Sequence, residues 1–228
     1  IFTAIVLILT NTVGNPTKYL IFDVLLTIIW VVGICNAINF FDNMDGAAGG
    51  ISALAGFGFA IIGLQNGQYF VAAFGLVLSG ACVGYLFWNW NPAKIYMGDA
   101  GALFIGIILA ALAVRVDPVS VSGIGAFFVP ICVLALPILD TTTVVIDRLR
   151  RKVSPFEGGL DHLSHRLRRK GLSVRQSVIT LCLIQSISIL IGFLINMSGN
   201  TYDSTLAALE IILGLSLLIW FLRIPAQD

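Results

Sequence analysis

Residues 19–41 read YLIFDVLLTIIWVVGICNAINFF and run straight into Asp42-Asn43-Met44-Asp45-Gly46. The first stretch carries one charge, Asp23, and is long enough to cross a hydrocarbon core as a helix, which takes about 20 residues. A membrane strand would need only about half that length and would alternate in polarity. This is a transmembrane helix that ends in a polar cluster. The same pattern repeats outward from it. Apolar spans fall at about 19–41, 47–64, 69–88, 100–114, 123–146 and 178–196, with 205–222 as a seventh, so the count is six to seven depending on the short 100–114 run. The fold class expected is an all-α polytopic bundle.

Composition agrees. Of 228 residues 58% are hydrophobic and 11% charged, against about 25% charged in soluble domains, and mean hydropathy is +0.97. Net charge of +1 excludes a basic nucleic-acid binder, and the apolar excess excludes disorder. Cys35, Cys82, Cys132 and Cys182 each lie within apolar runs, with no C-x-x-C spacing, and read as small buried hydrophobes. The chain opens on Ile1 inside an apolar run, 1–9, too short to span, with no signal-peptide pattern. It is expected to be an N-terminally truncated piece of a longer protein.

Nine of the 13 Lys and Arg residues fall between Arg148 and Arg175, which makes that loop cytoplasmic. Counting spans then places the 42–46 junction, the 89–99 loop and the C-terminus on the same side, while 65–68 and 199–204 hold no basic residue. Trp88, Trp90 and Tyr96 mark one interface. Gly49, Ala53, Gly56, Ala60 and Gly63 form a small-residue strip on which another helix can lie.

Three polar clusters meet on the cytoplasmic side. In the first, Asn36, Asn39 and Asp42 share a helix face at i+3 steps and continue to Asp45; amides and carboxylates at that depth are expected to face a polar cavity. A turn rich in Asn and Asp is the ordinary alternative. In the second, Asp99 stands between Gly98 and Gly101 at the start of a span, as an N-cap or as a Mg²⁺ ligand. The third, 161–169, has helical period, with His162, His165, Arg166 and Arg169 on one face and Leu160, Leu163 and Leu167 on another. It reads as an amphipathic helix on anionic lipid or as donors for phosphate oxygens. Asp140 lies about 12 Å above the loop and is expected to pair with a neighbouring helix, with reach into the cavity as the alternative. Glu210 and Asp23 stay unexplained. Together these groups describe phosphoryl transfer at a membrane face.

Four stretches in order, NAINFFDNMDGAAGG (36–50), MGDAGALFIG (97–106), PILDT (137–141) and SPFEGGLDHLSHRL (154–167), resemble the polyprenyl-phosphate N-acetylhexosaminyl-1-phosphate transferases. The resemblance implies one transmembrane transferase domain over 1–228, with 147–176 as a cytoplasmic basic loop carrying the amphipathic helix. It implies that undecaprenyl or decaprenyl phosphate attacks a UDP-sugar, that of N-acetylglucosamine above all, and releases UMP at the start of cell-envelope polysaccharide synthesis in the plasma membrane. Mg²⁺ (or Mn²⁺) is the implied cofactor, with Asp99 its ligand and Asn39 a second. Asp42, Asp45 and Asp99 are the implied catalytic acids, Asp45 nearer the uracil. Asn36, Asn39, His162 and His165 are implied to bind substrate, and Arg166 joins them from its helix face. Expected partners are the UDP-sugar, the polyprenyl phosphate and the bilayer, with no nucleic acid and with a homodimer as an option.

The chain departs from the family's pattern at Asn43, where Gly is usual, and at Ser164, which replaces a histidine. The family's Asp-Asp pair for lipid phosphate has no counterpart and would precede Ile1, so the chain alone is expected to be inactive. A transporter, with acids aligned across the bilayer, and a non-catalytic lipid-binding scaffold are the competing classes.

Overall fold

The computed structural model describes residue 5, residues 19–119, residue 121, residues 124–155 and residues 159–226; the 1–9 stump is therefore almost entirely outside the described residues. Every regular element among these is helical: α1 (Leu20–Phe41), α2 (Ala47–Gln65), α3 (Tyr69–Asn89), α4 (Gly98–Arg115), α5 (Ile124–Val133), α6 (Ala135–Arg150), α7 (Leu163–Arg169), α8 (Val174–Met197) and α9 (Asp203–Leu222). Six are long and apolar enough to cross a membrane, and α5 with α6 makes a seventh crossing if taken as one bent span. The helix starting at Gly98 has 18 residues, so the short span of the sequence is long enough to count.

The small-residue strip packs α2 on α3. A Cβ on Gly56 would lie 2.9 Å from the Gly75 carbonyl oxygen, and one on Gly63 would lie 2.9 Å from the Ala72 nitrogen, so backbones touch along this pair. Gly106 of α4 meets α1 in the same way, at the Cα of Cys35. These close approaches make α2 the buried centre and leave the outer faces of α1, α3 and α9 for lipid.

The expected single span 123–146 is instead two helices meeting at 79° around Leu134. The cause is local. Pro137 has no N–H to give to the Val133 carbonyl, and Gln185 of α8, fully buried, supplies the missing partners: Nε2 donates to Val133 O at 2.8 Å, while Oε1 accepts the Leu136 N–H at 3.0 Å. Gln185→Leu should therefore destabilise the bundle by about 1–3 kcal/mol for each backbone group left unpaired, read as thermal unfolding in detergent.

Polar loops sort to two ends. At one, Asn66 bonds Asn196 and Gln68 bonds Asp117. At the other lie the 42–46 turn, the 90–97 loop, α7 and the segment after α9, and a second core cluster (Phe41, Ile51, Leu136, Leu163, Leu167, Val178, Phe221) ties them together. So α7 does not rest on lipid by an apolar face. Leu163 and Leu167 are buried against the bundle, and Leu160 stands exposed.

Candidate active site

Gly46, at φ +80°, turns the chain from α1 into α2 without a break. Its N–H donates to Asn89 Oδ1 at 2.8 Å, and Asn89 Nδ2 donates to Ile95 O at 2.9 Å. Asp45 Oδ2 accepts from Asn91 Nδ2 at 2.9 Å and from the Ala93 N–H at 3.0 Å. The 42–46 turn and the 89–97 loop are thus one unit. Asn89 and Asn91 were not singled out in the sequence, although the Asn-x-Asn-Pro run between two spans was the available signal. Asp45, expected as a catalytic acid, has one oxygen committed to holding this unit together.

Antiparallel packing sets the last turn of α1 beside the first turn of α4. Asn39 Nδ2 donates to Asp99 Oδ1 at 3.1 Å. Asp99 does not cap its helix, since Met97 holds the N-cap position and no side-chain cap bond is made. Asp42 joins the pair. Burial pushes its carboxyl above the usual carboxylate range, an N–H at Gly98 holds it back, and the Asp99 charge pushes it up again. Gly98, at φ +66°, leaves that N–H unshielded by a side chain.

The histidines come from the other side. His162 Nδ1 lies 2.7 Å from Asp140 Oδ2, whose other oxygen accepts the Leu163 N–H at 2.7 Å, so Asp140 pairs with the neighbouring segment as expected. The His162 ring sits 6.2 Å from that of Phe40, next in sequence to Asn39, and 6.5 Å from that of His165. Burial, then the neighbouring His162 and Arg169 charges, lower the His165 pKa, so its ring is neutral at pH 7 and acts by hydrogen bonding rather than charge. Ser164 Oγ donates to Asn43 Oδ1 at 2.5 Å, closing the histidine segment onto the α1 turn.

Two expected ligands are not brought to this group. Arg166 is fully buried and binds the protein itself: Asp161 O at 2.8 Å, Phe221 O at 3.0 Å, Ile224 O at 2.5 Å and the Asp147 carboxylate at 3.0 Å. Its guanidinium staples α7 to the end of α9, which corrects its assignment as a diphosphate ligand. Arg169 likewise donates to Pro225 O and Leu160 O. Asn36 turns back to Val32 O at 2.7 Å along its own helix and makes no link to the Asn39–Asp99 pair.

Among the described residues no three His, Cys, Asp or Glu side chains could hold a metal by themselves. The donor set of Asp99, Asn39 and Asp42 nevertheless fits Mg²⁺, which takes one or two protein oxygens and completes its shell with substrate phosphates and water. The mutual charge of Asp42 and Asp99 is what such a cation would relieve.

The sequence profile of glycosyl transferase family 4 matches residues 1–117. The chain belongs to this family. It is 36% identical over 202 residues to a probable undecaprenyl-phosphate N-acetylglucosaminyl 1-phosphate transferase of Bacillus subtilis, covering 89% of this chain and 54% of the relative. It is 34% identical over 189 residues to a decaprenyl-phosphate N-acetylglucosaminephosphotransferase of Mycolicibacterium smegmatis, with 75% and 47% covered. A phospho-N-acetylmuramoyl-pentapeptide-transferase of Listeria monocytogenes matches over 95 residues at 40% identity, 42% of this chain and 29% of that one. The chain spans about half the length of the first two curated relatives. Asn43 and Ser164, the two substituted positions noted in the sequence, are the two ends of one hydrogen bond.

Proposed function

We propose that this chain carries the donor side of an enzyme that moves a sugar 1-phosphate, N-acetylglucosamine 1-phosphate, from its UDP-sugar to undecaprenyl or decaprenyl phosphate. A phosphate oxygen of the lipid attacks the β-phosphorus, the bond from that phosphorus to the bridging oxygen breaks, and UMP leaves. The observation that carries this reading is the convergence of Asn39, Asp42 and Asp99 with His162 and His165, from three separate stretches of sequence, at one end of a membrane bundle. The relatives' names support the acceptor and the sugar. Acids grouped at one end, rather than aligned across the bilayer, argue against a transporter.

Asp99 and Asn39 would hold Mg²⁺ (or Mn²⁺), with Asp42 beside them, and the cation would neutralise charge on the diphosphate. His162 and His165 present ring nitrogens to diphosphate oxygens. Asp45, Asn89 and Asn91 keep the α1–α2 turn and the loop before α4 in register, forming the wall beside the nucleotide. The nine basic residues between Arg148 and Arg175 support a cytoplasmic orientation for this end, and the reading puts the protein in the plasma membrane.

The test is transfer of radiolabelled sugar from UDP-N-acetylglucosamine to undecaprenyl phosphate by the intact protein in detergent. Label should enter the organic phase one-for-one with UMP, cease on chelation with EDTA and return with added Mg²⁺. UMP release that ignores the lipid acceptor, or transfer unaffected by chelation, would contradict the proposal.

A further inference from the structure

Asp140 stands apart from the residues assigned so far. Its side chain is 1% exposed, deep for a carboxylate, and both oxygens are used within one short segment. Oδ1 accepts the Leu163 N–H, and Oδ2 meets His162 Nδ1 at 2.7 Å. A carboxylate only accepts, so with Asp140 as the carboxylate the proton of that second contact is the histidine's Nδ1–H. His162 is itself buried, at 6% exposure, with the Phe40 ring nearby, and it meets Asp140 through Nδ1, which leaves Nε2 outside that contact. Nδ1 and Nε2 lie on opposite edges of the imidazole. A ring pinned through Nδ1 offers its other nitrogen away from Asp140.

The geometry points to Asp140 as a positioning residue for the proposed transfer: it holds His162 by its Nδ1–H and leaves the Nε2 edge of the ring for the substrate. Which nitrogen of a histidine is available is set by the bond the other makes. The second bond, to Leu163 N, fixes the start of α7 to the same carboxylate, so the ring cannot swing without losing both contacts. Bare, Nε2 accepts a proton; carrying one, it donates to a phosphate oxygen, and the Asp140 carboxylate holds Nδ1–H in either state. This role rests on the transferase reading for its purpose, and on the structure alone for its geometry.

Two measurements test it, and they fail separately. The 228-residue sequence holds two histidines, so ¹⁵N-histidine NMR of the protein in nanodiscs is readable, with the His162 signals identified as those lost in His162→Gln. Wild type should show His162 protonated at Nδ1 and bare at Nε2, and Asp140→Asn should shift it toward the opposite tautomer. A bare Nδ1 in wild type, or a tautomer indifferent to Asp140→Asn, would overturn the proposal whatever the enzyme does. In the transfer assay, Asp140→Asn and His162→Gln should each lower kcat/KM roughly 100-fold, and the double variant should fall no further than the worse single one. Multiplicative losses would show that Asp140 does not act through His162. Should Asp140→Asn fail to fold, Asp140→Glu, which keeps the carboxylate, should retain the wild-type tautomer and recover part of the activity. Asp140→Glu with the opposite tautomer would overturn the proposal. A wild type without transfer but with the expected tautomer would reject the transferase reading and leave the histidine geometry standing.

Discussion

Asp99→Asn is expected to lower sugar 1-phosphate transfer on the order of 1000-fold while leaving the protein folded. The substitution keeps the size of the side chain and an oxygen for Asn39 Nδ2, now at 3.1 Å from Oδ1, and removes only the charge. Folding should be indifferent because Asp99 is exposed, caps no helix and supports no core residue; substitutions of that kind move stability by about 0.5 kcal/mol or less. Chemistry should not be indifferent, because the transferred group gathers negative charge that Asp42 alone, half-buried and pushed toward its neutral form, is poorly placed to balance through a cation. UMP release at saturating Mg²⁺, with the unfolding temperature measured beside it, checks both halves. Wild-type turnover would remove Asp99 from the site.

The second large effect falls on stability. Arg148 and Asp161 form a buried two-pronged pair, Nε to Oδ2 and Nη2 to Oδ1, both at 2.6 Å, and Arg151 adds a contact to Oδ2 at 3.0 Å. Asp161→Asn takes the buried countercharge from the Arg148 guanidinium, which keeps its bond from Nη1 to Pro155 O at 2.9 Å, and removing one partner of a buried pair costs about 3–5 kcal/mol. Burial alone would raise the Asp161 carboxyl, but the hydrogen bond and charge of Arg148 bring it down to about 2. A depressed carboxylate stabilises the fold above its unfolded value, near 4, and that stability is lost as pH falls toward 2. Unfolding in detergent should therefore show a drop for wild type between about pH 4 and pH 2, with Asp161→Asn starting lower and lacking that part of the slope. An unfolding temperature unchanged by Asp161→Asn at pH 7 would contradict this.

Hydropathy made the spans legible to within a few residues, because length and apolar content are properties of each segment alone. Sidedness read from the basic loop also puts Asp42, Asp45, Asp99 and the histidines at one end of the bundle. What stayed hidden depends on partners. The break at Leu134 needs Pro137, which is visible, and Gln185, whose meaning appears only when α8 lies against the bend. Arg166 shares a helical face with His162 and His165 on paper, but residue 162 is the N-cap and the carbonyls after α9 claim the guanidinium. Asn36 follows the right periodicity and is lost to a backbone carbonyl one turn earlier. Asn89 and Asn91 look like ordinary loop residues until Gly46 and Asp45 reach them.

In the proposed transfer the β-phosphorus, not the sugar carbon, is the centre attacked at the Asn39–Asp42–Asp99 end of the bundle. UDP-N-acetylglucosamine labelled with ³²P in the β-phosphate, incubated with the intact protein, Mg²⁺ and undecaprenyl phosphate, separates the two outcomes directly. The label should move into the lipid fraction, and the released nucleotide should be unlabelled UMP. Label recovered in free UDP, with an unlabelled glycolipid, would mean that the sugar alone is transferred and would contradict it.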